Sequence, residues 1–478
     1  MQVAGKHLRS MVVFAVSASA ALAQSPAPPM TREEAGSRQQ VIATEAVTPP
    51  QTWVDHVKKP TDWFKWGSDL RIRYEYINNQ GLDERAIGHE WSVARFRSRL
   101  WADLTPLSNF DINLRLAREN RHWDAPDSKP DWDSPDTTVD TANIKLSHLF
   151  NSNSSLTLGR QDIMNLGDGW LIFEGTPLDG SRSLFFDAAR LTLTDILPAR
   201  TSLDLIFLQD YSDSDVYIPT IGERDVSLHE QDERGGIFYL ANRAIEKTQI
   251  DGYFIYKHDD RQLVNGDDSD LYTVGGRVVR ELSPHWKVRG EGAYQFGHRL
   301  NPVVYPDATN GAVNACAFLG RVSYSFGDPM KNQLRFTFEH ESGDDPDSAT
   351  NEAFDPLWGR WPQFSEIWLY NARTETRLGE TSNLTRASFG WQINPTSKIE
   401  IRAEYSLLFA DENTFAGHSG FSHGGSFRGQ LITAVLRYNV NRFLTWNLVG
   451  EEFFPGSYYA SPRDDAATYL RAEVLLSF

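Results

Sequence analysis

Three arginines, Arg95, Arg97 and Arg99, occupy every second position of the segment ARFRSRLWADL. In an extended chain side chains two apart share a face and stand about 7 Å from one another, so these three form a row. The planar guanidinium fork holds carboxylates bidentately and stays charged at any ordinary pH. A row of such groups suits the transit of an anion, because each site can bind and then hand on. Arg71 and Arg73 repeat the spacing in DLRIRYEY, and Arg115, Arg289, Arg335, Arg402, Arg437 and Arg471 take the same parity in later segments. Acids share these faces, notably Glu75, Glu291, Glu339, Glu404 and Glu473. An Arg–Glu ladder bracing a wall is therefore the alternative reading, although the group 71, 73, 95, 97 and 99 is expected to meet few acids.

Other side chains could do other chemistry. Acidic runs at NGDDSD (Asp267, Asp268, Asp270), at GDDPD (Asp344, Asp345, Asp347) and at Asp210, Asp213 and Asp215 could supply several of the six to eight oxygens that calcium takes. None has the twelve-residue EF-hand pattern, and solvated acid facing lipopolysaccharide is the competing reading. No other metal site and no cofactor is expected. The twelve histidines form no HExxH, and GHSGF at 417–421 fails the GxSxG spacing, so no hydrolase nucleophile stands out and the protein is not read as an enzyme. The formal net charge of −17 argues against nucleic acid as a partner. One cysteine, Cys316, excludes an intrachain disulfide.

The elements that would position these groups are strands. From residue 67 onward the period is two: Leu70, Ile72, Tyr74 and Tyr76 alternate with Arg71, Arg73 and Glu75, and the pattern returns at 94–104, 286–296, 331–341 and 398–408. One apolar and one charged face suits a barrel with lipid outside and water inside. Eight short connections rich in Pro, Asn, Ser or Gly centre near 107, 152, 197, 244, 284, 329, 396 and 441. Nine longer ones lie near 79–89, 122–138, 164–182, 210–233, 258–270, 298–312, 342–382, 411–426 and 455–467. The two kinds alternate throughout, which predicts an all-β, transmembrane, 18-stranded antiparallel barrel with short periplasmic turns and long extracellular loops. The long connections carry −26 of formal charge, leaving +9 on strands, turns and the N-terminal segment. That separates an acidic rim from a basic interior. The connection 342–382, with WGRWPQF and an extended stretch expected near IWLY, is long enough to enter the pore as a plug. Residues 1–23 read as a signal peptide with Lys6 and Arg9 before an apolar run, 24–66 as a flexible periplasmic segment, and 67–478 as the barrel. No run of 18 apolar residues follows residue 23, so no helix is expected to span the membrane. ATYLRAEVLLSF, closing on Phe478, has the form of a terminal outer-membrane strand.

On KPTDWFKWGSDLRIRYEY (59–76), LTLGRQDI (156–163), GDGW (167–170), FFDAARLTL (185–193) and ESGDDPDSATNEAFDPLWG (341–359), the sequence resembles the alginate-export family of outer-membrane porins. The resemblance implies a narrow, arginine-rich channel that passes an anionic uronate polymer by diffusion. It also implies that the GRQ and FDAARL motifs turn Arg160, Asp187 and Arg190 toward the channel, with Arg182 near its mouth. Opposite charges in a constriction would orient a sugar whose hydroxyls and carboxylate need different partners; fixing an arginine rotamer is the equal alternative for Asp187. Outer-membrane lipid, lipopolysaccharide and an anionic saccharide are the partners implied, and periplasmic export machinery is left open. The best-known exporters of the family cover the channel with a long periplasmic turn, whereas all eight turns here are short. A general or differently selective porin for uptake of small solutes therefore stands beside the export reading, and a barrel enzyme or adhesin is the reading from another class.

Overall fold

In the computed structural model, the described residues are 53–478 other than 135–136, 151, 164–165, 168, 172–184, 197–199, 214–215, 223–229, 360–362 and 372–380. The expected signal peptide, most of the expected lead-in segment, Arg182 and Asp215 lie outside them.

Eighteen strands make one antiparallel wall: β1 Phe64–Asn78, β2 Trp91–Leu107, β3 Phe110–Ala125, β4 Thr138–Leu149, β5 Ser154–Gln161 and β6 Phe186–Leu193. They continue as β7 Thr201–Asp210, β8 Gln231–Asn242, β9 Thr248–Arg261, β10 Asp268–Glu281, β11 Trp286–Leu300 and β12 Ala312–Ser325. The last six are β13 Gln333–Glu341, β14 Leu384–Thr396, β15 Ile399–Phe409, β16 Phe427–Asn439, β17 Leu444–Pro455 and β18 Ala467–Ser477. Each strand pairs with its sequence neighbours, and β1 pairs with both β2 and β18, so the sheet closes on itself. Closure leaves the wall without an open strand edge, which the hydrocarbon core demands. The seam ends with Ser68 and Phe478 exchanging backbone hydrogen bonds at 3.0 and 2.7 Å. A two-residue strand, Trp132–Asp133, adds to β3 inside a long loop and is not part of the wall. Outside the barrel a short helix, α1 Trp53–Lys58, is tied by the Trp66 indole N–H to the Val57 carbonyl at 2.7 Å.

The alternation sorts side chains as its period dictates. On β1, Leu70, Ile72 and Tyr74 are about two-fifths exposed on the outer, lipid-facing row, while Arg71 and Arg73 between them are buried inside. Aromatic rings gather at the short-turn end of the outer face, where Trp286 meets Tyr324 with centroids 4.8 Å apart, as the membrane–water boundary favours. Short and long connections alternate as the sequence predicts. One long connection shrinks to 262–267, because β9 runs on to Arg261 and β10 resumes at Asp268.

The interior departs from the expected charged face. Along β6 to β12 the inward row carries Phe186, Ile206, Leu208, Ile237, Ile255, Leu271 and Val313, all buried. Apolar groups lining water would forfeit about 25 cal/mol for each Å² left wet. Described residues of two long connections cover them: Ile163, Leu166 and Leu171 of the one after β5, and Phe354, Leu357 and Trp358 of the one after β13.

Candidate functional site

The five arginines picked out by spacing do stand together on the inner face. β1 and β2 set Arg71 opposite Arg97, Arg73 opposite Arg95, and Asp69 opposite Arg99. Like charges directly across a ladder repel, so the arrangement needs acids, and the expectation that few are present is corrected here. Glu119 on β3 takes Arg71 Nη2 at 2.8 Å and Arg95 Nε at 2.9 Å. Glu75 takes Arg95 Nη1 at 3.0 Å and Arg73 Nη1 at 3.2 Å. Glu473 takes Arg73 Nε at 2.7 Å across the seam. Asp69 takes Arg99 Nε at 2.8 Å and lies 3.5 Å from Arg97 Nη2. Arg121 joins through Glu119 at 3.1 Å, and Arg471 through Glu366 at 2.7 Å. Arginines and carboxylates thus alternate in a buried lattice across β18, β1, β2 and β3. Arg115 makes a separate set with Asp140 at 2.7 Å and Asp162 at 3.0 Å.

A second cationic group occupies the short-turn half of β11 to β16. Arg289 and Arg321 face each other across β11 and β12, with Lys287 two residues along and Arg335 on β13. Arg402 and Arg437 follow on β15 and β16. These are more open than the first lattice: Lys287, Arg289, Arg321 and Arg335 are half-buried. The described carboxylates bonded here are Glu404, 3.6 Å from Arg335 and 2.9 Å from Arg386, and Glu400, 3.1 Å from Arg402. Arg386 also binds Glu339 at 2.8 Å. Arg321 was missed by the spacing argument, since RVSYS offers no repeated arginine; only its register against Arg289 reveals it.

Between the two groups runs the loop 342–383, anchored on both walls. On one side Asp355 binds Arg299 at 3.2 Å, the Gln295 side-chain N–H donates to the Asp355 carbonyl at 2.7 Å, and the Trp358 indole N–H donates to Glu233 at 3.0 Å. A Cβ on Gly235 would come within 2.3 Å of the Trp358 ring, so the wall is notched where the indole seats. On the other side Glu451 of β17 accepts the Ser365 hydroxyl at 2.7 Å and the backbone N–H groups of Glu366 and Ile367 at 3.0 and 2.9 Å. Trp368 meets Phe453 edge-on there, with the Arg428 guanidinium 5.3 Å from its ring centroid. The expected extended stretch at IWLY is instead a six-residue helix, α2 Glu366–Asn371. Its N-terminal N–H groups have a carboxylate ready to accept them. Trp170, from the connection after β5, packs beside it: its ring stacks on Phe354 with centroids 6.0 Å apart, and its N–H reaches Glu341 at 3.2 Å.

Arg160, Asp187 and Arg190 are not brought together. Arg160 and Asp187 are cross-strand partners bonded at 3.0 Å through both nitrogens. They share the row of Leu158, Ala189 and Phe207, which faces outward. Arg160 is closed over by the Phe185 ring at 3.8 Å and by the carbonyls of Val139 and Ile218, making a clasp on the rim. Arg190, three positions from Asp187, takes the opposite face because the spacing is odd, and binds Asp204 at 2.8 Å.

The acidic runs separate likewise. Asp268 is exposed, and Asp270 is engaged by Tyr256 at 2.5 Å and His258 at 3.0 Å. Asp344 accepts the Glu352 N–H at 3.1 Å, and Asp345 that of Asp347 at 2.9 Å. Asp267, Asp344 and Asp210, the last on the inward row of Ile206 and Leu208, are buried.

A closed wall of 18 strands with an apolar outer band, an ion-paired interior and inward-folded loops defines a porin of the bacterial outer membrane. The chain belongs to the alginate-export family, whose model matches residues 62–473. No curated protein matches the chain by sequence. Among solved structures it is similar to OccK9 (OpdG) of Pseudomonas aeruginosa, at 11% identity and TM-score 0.55 over 87% of this chain and 98% of that one. It is also similar to OccAB2 of Acinetobacter baumannii, at 12% identity and TM-score 0.54 over 86% and 98%. A third is OccK2 (OpdF) of P. aeruginosa, solved in complex with glucuronate, at 12% identity and TM-score 0.51 over 86% and 98%.

Proposed function

We propose that this porin gives passive, gradient-driven passage to anionic saccharides of the polyuronate kind along its arginine-rich inner wall. The observation that carries this is the gathering of Lys287, Arg289, Arg321 and Arg335 on one half-buried stretch of the inner face. A permeating carboxylate can exchange with these side chains because the barrel has not closed over them. The lattice at Arg71, Arg73, Arg95, Arg97 and Arg99, with Arg471, holds the opposite wall rigid. Its charges are fixed by their partners, so it shapes the path more than it trades ligands. Family membership and the glucuronate held by OccK2 support the same substrate chemistry.

The test is a planar-bilayer recording in a salt gradient. Wild type should show a reversal potential of anion preference and concentration-dependent block by oligouronates, with no block by a neutral oligosaccharide of equal length. Arg289→Gln with Arg321→Gln should reduce both effects, since two positive charges leave a weakly screened path. An unchanged reversal potential in that variant counts against the assignment. The eight short turns favour a second reading, a general porin for small solutes, which predicts conductance without oligouronate block.

A further inference from the structure

At the short-turn end of the seam, the outer, lipid-facing rows finish on a corner of rings and cations. Trp66 continues the row of Leu70 and Ile72 on β1, Phe478 continues that of Leu476 on β18, and the two rings meet with centroids 5.4 Å apart. The helix α1 lies against this corner: the Trp66 indole N–H donates to its Val57 carbonyl at 2.7 Å, and Lys58 Nζ stands 5.8 Å from the Phe478 ring centroid. Val54 of α1 is buried, whereas Trp53 and Val57, four positions apart on another face, are 72% and 41% exposed, and Trp63, in the turn before β1, is 52% exposed. Tryptophans this open at the end of a lipid-facing row have the place of interfacial anchors, with their rings among headgroups.

The cations are an independent observation. Arg442, on the turn between β16 and β17, reaches α1 through Asp55 at 3.4 Å, and its guanidinium stands 4.6 Å from the Phe443 ring centroid. Both side chains of that ion pair are partly exposed, so it is worth little and orients the guanidinium without cancelling its charge. Asp55 and Lys58, three positions apart, share one face of the helix, which brings Arg442 and Lys58 to the same edge. Burial, then the charges of Lys65 and Arg442, lower the Lys58 ammonium from its ordinary value, against the pull of Asp55. Like charges gathered beside exposed rings, at the level where the apolar rows end, suit a lipid phosphate.

We propose that α1 and the β16–β17 turn form a site for the headgroup of an anionic phospholipid in the periplasmic leaflet, with its phosphate between Lys58 and Arg442 and its chains beside Trp53, Trp63 and the outer row. The occupant is a lipid because the cations adjoin the lipid-facing band through Trp66 and Phe478. It is a phospholipid because short turns mark the periplasmic side of such barrels, where the leaflet is phospholipid and lipopolysaccharide is confined to the other face. It is anionic because each basic group near the surface adds attraction for net negative charge, while a zwitterionic headgroup sets its own cation against Lys58. Bound there, the lipid ties the segment ahead of β1 to the seam that Ser68 and Phe478 close.

The experiment titrates the full chain in detergent with dioctanoyl phosphatidylglycerol and follows lipid adducts by native mass spectrometry. Saturable binding is expected, with dioctanoyl phosphatidylcholine bound roughly tenfold more weakly and inorganic phosphate failing to displace the lipid. Lys58→Gln with Arg442→Gln should weaken phosphatidylglycerol binding by roughly tenfold or more and leave phosphatidylcholine binding unchanged. Lys247→Gln with Lys331→Gln removes the same formal charge from exposed positions on two other short turns and should alter neither. Should the Lys58 and Arg442 double variant not fold, Lys58→Gln alone is read by the same criteria. Equal affinity for the two lipids, displacement by inorganic phosphate, or equal losses in the two double variants would overturn the proposal.

Discussion

Replacing Trp358 with alanine should release one end of the plug. The indole has no exposed surface. It donates to Glu233 at 3.0 Å and meets Phe186 edge-on with centroids 6.0 Å apart. Truncating a fully buried aromatic costs about 3–5 kcal/mol. At about 1.4 kcal/mol per decade that lowers the docked-to-undocked ratio of the 355–358 segment by roughly two to four orders of magnitude. The other anchor, at Glu451 and Arg471, is untouched, so the loop should swing from that hinge and stay inside the lumen. Single-channel recording would show this as frequent transitions to larger conductance levels, absent or rare in wild type. Trp358→Phe keeps most of the ring and loses the N–H donor, and should give a smaller effect in the same direction. Identical dwell-time and amplitude histograms for Trp358→Ala and wild type, in protein whose barrel still resists detergent, would refute the two-anchor account.

Gly235→Ala should push the same indole, since the new Cβ would lie 2.3 Å from its ring, whereas Gly236→Ala meets nothing within 4 Å; the first should lower stability by about 1–3 kcal/mol and the second by much less, read from Tm in detergent. Glu473→Gln strips the seam of the acid that Arg73 binds at 2.7 Å and should cost about 3–5 kcal/mol in urea unfolding, while replacing Arg73 and Glu473 together by apolar residues of similar volume should recover most of that loss. Burial pushes Asp344, in the plug loop, up to about 6, against the opposing pull of the Glu352 N–H. A carboxyl raised on folding stabilises fully below its unfolded value near 4, and that contribution is lost as pH rises through about 6. Limited proteolysis of the loop should therefore be slower at pH 4.5 than at pH 7, and Asp344→Asn should flatten the difference.

What could be read from the sequence followed from local rules. Period two, turn residues and alternating connection lengths are properties of neighbouring residues, and they locate all 18 strands. Register is not local. Asp69 lies 30 positions from Arg99 and Glu119 lies 48 from Arg71, so these two acids join the lattice only once β1, β2 and β3 are aligned, whereas Glu75 and Glu473 are visible on the same faces by parity. The motif resemblance turns Arg160, Asp187 and Arg190 all toward the channel, whereas strand parity puts Asp187 and Arg190 on opposite faces. The apolar inner wall did leave a trace: LDLIFLQ in β7 is apolar on both rows, a pattern of two-sided burial. The plug's two anchors left none, since Asp355 and Glu366 resemble ordinary loop acids.

The hydrogen bonds between Ser68 and Phe478 carry a consequence for biogenesis. Bringing together ends some 400 residues apart is entropically among the slowest of contacts, growing with the logarithm of the intervening length. Until it forms, the first and last strands each present a bare row of amides, an invitation to pair with another nascent chain. The final ribbon is thus the latch of the whole cylinder. Weakening its register with β1 should show up first as failed insertion and only afterwards as altered permeability.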